Sequence, residues 1–154
     1  MVTLIVIELI SLIIFLKFAD FNRFRELVPI IFTGIYLRFL EHYIVIDWLE
    51  LWHIHGAKNS ALWLPISADL TVWPIVAYFY IQYLPSKRVG VYTLLWSLLM
   101  FGYLQLLFKI DVVSIKKGWH PILSALFMIG YFTVLLQIWK WLRGPYTSEK
   151  TSRN

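Results

Sequence analysis

The chain has 154 residues, of which 60% are hydrophobic and only 15% are charged, and its mean hydropathy is +0.70. A soluble domain is about 45–50% apolar and about 25% charged, so this composition is typical of a chain whose solvent is a lipid bilayer. The length allows one domain, and the absence of cysteine excludes disulfides and thiolate chemistry. The net charge of +5 comes from basic residues scattered between apolar runs, which argues against nucleic acid as a partner.

Five apolar runs follow one another along the chain, and each predicts a transmembrane helix. They cover residues 2–16, 27–46, 68–84, 89–108 and 119–142. A helix rises about 1.5 Å per residue, so about 20 residues cross a hydrocarbon core of about 30 Å. The second, fourth and fifth runs reach that length, whereas the first and third need flanking residues or local thinning of the bilayer. We therefore predict an all-α, polytopic membrane helix bundle of about five spans, forming a single domain over residues 1–143.

The basic residues between the runs predict the orientation. One set of ends holds Lys17, Arg23, Arg25, Lys87, Arg88, Lys140, Arg143, Lys150 and Arg153. The opposite set holds Lys58, Lys109, Lys116 and Lys117. The richer set is expected in the cytoplasm, which places the N-terminus outside and the C-terminus inside, with residues 144–154 as a polar cytoplasmic tail. The longest link, residues 48–67, then lies outside, and its three tryptophans predict a position on the outer membrane surface.

Three ionisable residues fall at similar depths in the outer half of the predicted bundle. Counting helical rise places Glu8 and Glu41 about 9 Å below the outer surface and Arg38 about 13 Å below it. Gly34, Arg38, Glu41, Val45 and Trp48 have the spacing of one helical face, which we expect to point inward, with His42 one residue aside.

Further polar residues reach the same outer half from the other helices. The candidate ligand site or intramembrane polar cluster comprises Glu8, Arg38, Glu41, Asp47, Asp69, Thr71, Trp119, His120 and Ser124. One interpretation is a polar pocket open to the outside. The other is a structural bridge, Arg38–Glu41 or Arg38–Glu8, that fixes the helix packing. No catalytic residue, metal site or cofactor is predicted, because Glu50, His53 and His55 lack a diagnostic ligand spacing.

Several of these residues also carry a resemblance to a known family. The segment Asp69-Leu-Thr-Val-Trp-Pro74, followed by Tyr80-Ile-Gln-Tyr83 and Pro85, is the most distinctive part of the chain. Over residues 18–142 the chain resembles a family of small multi-helix membrane proteins of spore-forming Firmicutes. The matching positions are Asp47, Trp63, Asp69, Thr71, Pro74, Gln82, Trp119, His120 and Ser124. Family members often carry a Glu-Pro pair in the fourth helix, where this chain reads Tyr103-Leu-Gln105.

The resemblance implies a multi-pass protein of the bacterial cytoplasmic membrane, or of a spore membrane, and carries no activity with it. We expect a non-enzymatic protein that binds a ligand or lipid, or serves as a subunit of a membrane assembly. Two alternatives stay open: a small transporter or an ion- or proton-conducting subunit, and an intramembrane lipid-modifying enzyme using Asp69, His120 and Ser124. The expected partners are membrane lipids, other membrane subunits or a second copy of the chain.

Overall fold

The computed structural model describes residues 2–54, 58–110, 113–115 and 118–144, with the side chains of residues 2, 54 and 58–65 left out. This part of the chain holds five α-helices: α1 (Val2–Phe18), α2 (Phe24–His42), α3 (Lys58–Gln82), α4 (Val89–Lys109) and α5 (Pro121–Arg143). A 3-10 turn, Phe21–Arg23, precedes α2, and a π-helical segment, Tyr43–Trp48, continues it. The prediction of a mostly helical fold is confirmed.

Two short strands depart from the all-α prediction. Strand β1 (Trp52–Ile54) follows α2, strand β2 (Val113–Ile115) follows α4, and the two pair antiparallel with His53 opposite Ser114. Valine and isoleucine favour this extended backbone. The pairing brings the ends of α2 and α4 together, and we call this side of the molecule the sheet end.

Helix α3 begins earlier than its apolar run predicted. Its first residue is Lys58, ten residues before position 68, so the link predicted over residues 48–67 is shorter than expected. Trp52 within that link is buried, with its ring centroid 5.5 Å from that of Phe108 and 5.0 Å from that of Trp119. The expectation that this tryptophan lies on a membrane surface is therefore wrong, because burial against two other rings removes it from the exterior. The side chain of Trp63 lies outside the described residues.

The helices alternate in direction, as contacts at the opposite end of the bundle show. The Gln82 side chain accepts a hydrogen bond from the Asp20 backbone N–H (2.8 Å) and donates one to the Phe18 carbonyl (2.9 Å). Arg143 donates to Glu26 at 2.9 Å. The end of α3 thus holds the α1–α2 link, and the end of α5 meets the beginning of α2.

Helix α3 lies at the centre of the bundle, in contact with α1, α2 and α5. From Ala68 to Ile81 nearly every side chain is buried, including the tyrosines Tyr78 and Tyr80. The surrounding helices are apolar outside as well as inside: Ile13 and Leu16 on α1 and Leu95 and Leu99 on α4 are among the most exposed hydrophobic residues. An exterior of this kind is unfavourable in water and suits lipid.

Three segments are long and apolar enough to cross a membrane: Phe21–Trp48, Val89–Lys109 and Pro121–Arg143. They correspond to the second, fourth and fifth predicted runs, and they support a membrane protein. Helix α1, with 17 residues, rises only about 25 Å.

Candidate functional site

The centre of the candidate site is the guanidinium group of Arg38, which is 3% exposed. Each of its three nitrogens faces a different side chain. Nη1 pairs with Glu41 Oε2, and Nε lies 3.4 Å from Asp69 Oδ1. Nη2 lies 3.2 Å from His42 Nε2. The spacings of three and four along α2 place Glu41 and His42 within reach of Arg38, and Asp69 approaches from α3.

The tautomer of His42 follows from these contacts. An arginine nitrogen can only donate, so His42 Nε2 must accept and carries no proton. The ring proton then lies on Nδ1, which is 2.7 Å from Asp69 Oδ2. With His42 neutral, the cluster of Arg38, Glu41, His42 and Asp69, here called the charged cluster, combines one guanidinium with two carboxyl groups.

One face of the guanidinium is covered by an aromatic ring. The Arg38 Cζ atom lies 3.9 Å from the ring centroid of Trp73, within the range of a cation–π interaction. Trp73 is four residues after Asp69, so both side chains leave the same face of α3. Side chains of the protein therefore contact the guanidinium of Arg38 along its edge, through its nitrogens, and cover one of its faces.

A groove between α2 and α5 reaches the charged cluster from outside the bundle. It has a volume of about 430 Å³ and is lined mainly by leucine, isoleucine, valine and phenylalanine side chains. Small-molecule sites commonly have volumes of about 300–1,000 Å³. Two polar side chains line this groove, Glu41 and Tyr131, and both are buried. Glu41 Oε1 and the Tyr131 hydroxyl have no hydrogen-bond partner among the described residues.

A second, smaller cavity of about 40 Å³ lies on the other side of the charged cluster. Arg38, His42, Asp69 and Trp73 line it from within, and α1, α4 and β2 contribute Leu4, Tyr103 and Val113. The Tyr103 hydroxyl is buried here and has no hydrogen-bond partner in the described part of the chain. The charged cluster therefore separates two cavities.

Two further predicted site residues lie beside the charged cluster on α1 and α3. Glu8 Oε1 accepts a hydrogen bond from the Ser67 hydroxyl at 2.7 Å, and the Thr71 hydroxyl donates to the Ser67 carbonyl at 2.7 Å. Glu8 therefore joins α1 to α3 close to Asp69. Of the two bridges proposed from the sequence, the structure forms Arg38–Glu41.

The residues predicted around the start of α5 form a separate contact. Trp119 Nε1 donates to the Ser124 hydroxyl at 2.9 Å, and both residues are buried. His120 is exposed and caps the helix, since its Nδ1 faces the Ile122 N–H at 3.3 Å. Pro121 occupies the first helical position, where its missing N–H is harmless. These contacts account for Trp119, His120 and Ser124 as the residues that begin α5.

The inward face predicted for α2 holds as far as Val45. Gly34, Arg38, Glu41 and Val45 are buried, but Trp48 is 70% exposed. The reason is the π-helical segment, in which each turn takes up an additional residue and so rotates later side chains away from the α-helical face. Asp47, in the same segment, is exposed as well.

The acid–base set suggested for a lipid-modifying enzyme is not assembled. Asp69 contacts Arg38 and His42, while His120 and Ser124 are engaged at the start of α5. No group of three metal-ligating side chains is found within the described ranges, and His55 lies outside them.

Three aromatic residues of the site were not predicted from the sequence: Trp73, Tyr103 and Tyr131. Trp73 had a signal, because it lies one helical turn after Asp69. Tyr131 had a weaker one, because it is seven residues after Ser124 and so on the same face of α5. Its position depends on Gly34, since a Cβ atom there would lie 2.8 Å from the Tyr131 hydroxyl oxygen.

Comparison with family models, with curated proteins and with solved structures finds no match to this chain. Its function must therefore be inferred from the geometry and the chemistry of the site.

Proposed function

We propose that this protein is a membrane-embedded binding protein that takes a lipid-like ligand into the groove between α2 and α5. The observation that carries this proposal is the pair of partnerless polar atoms, Glu41 Oε1 and the Tyr131 hydroxyl, in a groove that is otherwise apolar. A buried polar atom without a hydrogen bond costs about 1–3 kcal/mol. A ligand that satisfies these atoms recovers that free energy.

The position of the groove supports a ligand that comes from the bilayer. Its outer rim includes Leu40, Leu126 and Val134, which are exposed on segments apolar enough to cross a membrane. An acyl chain or similar tail can lie between these side chains while its polar end reaches Glu41. The ligand then needs no passage through the packed centre of the bundle.

The arrangement of the helices supports five spans. The paired strands hold the ends of α2 and α4 at the sheet end, and Gln82 holds the α1–α2 link at the other. With the basic residues as the guide to orientation, the sheet end faces outward and the C-terminus lies in the cytoplasm of a bacterial cell.

The test of ligand binding fills the groove. Gly130 lines it, and a Cβ atom at this position would meet nothing within 4 Å, so the side chain of Gly130→Leu starts in open space at the groove. Gly102 on α4 is equally open and lies away from the groove, which makes Gly102→Leu the matched control. Native mass spectrometry of the purified protein should show bound lipid in the wild type and in Gly102→Leu. Gly130→Leu should lose it, and equal retention in both variants would refute the proposal.

A second function, proton or cation conduction, draws support from the two cavities on either side of the charged cluster. The pairs His42–Asp69 and Arg38–Glu41 join the small cavity to the groove through polar contacts, and such chains conduct protons in other membrane proteins. Liposomes containing the protein and a pH-sensitive dye should then dissipate a proton gradient, and Asp69→Asn should slow this. Proton flux no faster than in empty liposomes would remove this alternative.

A further inference from the structure

The charge of the site indicates which headgroup the groove accepts. Resting on the proposed function, we infer that the ligand is a single-chain amphiphile with a cationic, hydrogen-bond-donating head, such as a primary ammonium group. The relevant feature is the number of groups of each charge type in the charged cluster. One guanidinium faces two carboxyl groups, those of Glu41 and Asp69.

Asp69 does not line the groove, so it cannot meet a ligand there. It is 1% exposed, its Oδ1 faces Arg38, and its Oδ2, which accepts no hydrogen bond from the described residues, lies 2.7 Å from His42 Nδ1. His42 brings no positive charge, because its Nε2 accepts from Arg38. The cluster therefore holds two carboxyl groups against one cation, and a ligand in the groove meets only the carboxyl group that lines it.

That carboxylate is Glu41. Its Oε2 pairs with Arg38, whereas its Oε1 is buried and lacks a partner within the described residues. Glu41 lines the groove, and its neighbour there, Tyr131, presents a hydroxyl group that can accept or donate. An ammonium head would give Oε1 a charge-assisted hydrogen bond and balance the cluster, and such bonds are about twice as strong as neutral ones. A carboxylate or phosphate head would instead repel Glu41.

The apolar lining limits the remainder of the ligand to hydrocarbon. Besides Glu41 and Tyr131, the groove is bordered by Gly130 and by aliphatic or aromatic side chains. Among the described residues no arginine or lysine lines it, so it offers no cation to a phosphate group. This composition favours a long-chain amine over a phospholipid.

The experiment compares three probes that share a chain and differ in the head: dodecylammonium, dodecanol and dodecanoate. Each is added at the same mole fraction to phosphatidylcholine nanodiscs that contain the full-length protein, and the bound fraction is measured by native mass spectrometry. The wild type should bind dodecylammonium most and dodecanoate least. Glu41→Gln, which keeps the shape of the side chain, should lower dodecylammonium binding by about tenfold and leave dodecanol within about threefold, in keeping with the loss of one charge-assisted bond. Tyr131→Phe should weaken both of these probes.

Because the order of the three probes is read in the wild type, the inference can be tested even if Glu41→Gln does not fold. Equal binding of all three heads, with binding lost in Gly130→Leu, would overturn the headgroup assignment and leave the proposed function standing. Absence of any bound probe or lipid would overturn both. A change of oligomeric state in Gly130→Leu, without bound lipid in the wild type, would assign the groove to a second copy of the chain and also overturn both.

Discussion

Arg38 places a charge inside the bundle, and its neighbours compensate for the loss of solvent around it. Two carboxylates, an imidazole and the Trp73 ring surround the guanidinium, which is 3% exposed. Arg143 offers a natural comparison in the same chain. It also pairs with a glutamate and lies 4.6 Å from a tryptophan centroid, but its side chain is 54% exposed.

This comparison predicts different stabilities for the same substitution. Arg38→Met leaves Glu41 and Asp69 buried without their cation, and removal of one partner of a buried pair costs about 3–5 kcal/mol. Arg143→Met breaks an exposed pair and should cost about 1 kcal/mol or less. Unfolding of the purified protein by denaturant in mild detergent measures both. Similar losses of unfolding free energy in the two variants would show that the burial of Arg38 does not make its ion pairs more important for stability than an exposed pair.

A second prediction concerns the close packing around Gly34. A Cβ atom there would lie 3.0 Å from Ala77 Cβ and 2.8 Å from the Tyr131 hydroxyl oxygen, so Gly34→Ala requires Tyr131, Ala77 or α2 itself to shift. We expect a loss of about 1–3 kcal/mol in the free energy of unfolding, as in other overpacked cores. Gly102→Ala, in open space on α4, should be neutral or gain up to about 1 kcal/mol. Tyr131→Phe should relieve part of the cost in the Gly34 variant, and no relief would assign the strain to Ala77 alone.

Sequence reasoning found the charges of this site more readily than its aromatic residues. Helical spacing alone relates Arg38 to Glu41, and the cost of a charge in hydrocarbon requires that both turn inward. The approach of Asp69 from another helix needed the three-dimensional packing, because no spacing within one segment specifies which helices are neighbours. For the same reason Tyr131 could not be assigned to the groove.

At the scale of the elements, the contacts of Gln82 fix the relation between α1, α2 and α3. Its side chain spans the α1–α2 link with one donated and one accepted hydrogen bond, and Tyr78 donates to the Asp20 carbonyl at 2.6 Å. Nearer the sheet end, the Glu8–Ser67 bond joins α1 to α3, and the contacts of Arg38 and His42 with Asp69 join α2 to α3. A polar contact at each end thus holds α1 to α3.

Gln82→Leu should loosen the link at one end only. Loss of the acceptor for the Asp20 N–H removes about 1 kcal/mol, and the exchange of that amide with deuterium should accelerate by roughly fivefold. Gln137 on α5 is exposed, so Gln137→Leu serves as the control and should leave the Asp20 amide unchanged. Faster exchange throughout the protein would indicate global destabilisation instead of a local effect.

The boundaries of the elements were predictable only where composition changes sharply. Helix α4 starts at Val89, the residue predicted from the basic turn before it, and ends one residue after its predicted limit. The beginning of α3 was missed because Lys58, Asn59 and Ser60 are polar and resemble a loop. The strands were missed because a pair of three-residue segments far apart in sequence leaves no periodic signal.

At the scale of the whole molecule, the orientation of the bundle stays a prediction from its basic residues. The resemblance to the Firmicutes family, which rests on motifs within residues 18–142, stays a prediction as well. The chain contains no cysteine, so a single cysteine introduced by mutation can report the orientation of the bundle directly. Ser86, in the link between α3 and α4, and Ile115, in β2 at the sheet end, are both exposed. A membrane-impermeant thiol reagent applied to intact expressing cells should label Ile115→Cys but not Ser86→Cys. Permeabilised cells should show labelling of both, and labelling of the two variants from the same side would contradict the proposed topology.

The order of the helices along the chain bears on how the protein enters a membrane during synthesis. Arg38 precedes Asp69 by 31 residues, so it leaves the ribosome before its second acidic partner does. Glu41, three residues from Arg38 on the same helix, supplies a counter-charge at once. Helix α3, whose side chains from Ala68 to Ile81 are mostly buried, is made after α1 and α2 and then places Asp69 beside Arg38. Glu41 thus gives Arg38 a counter-charge from within α2 itself, whereas Asp69 can do so only once α3 has packed beside it.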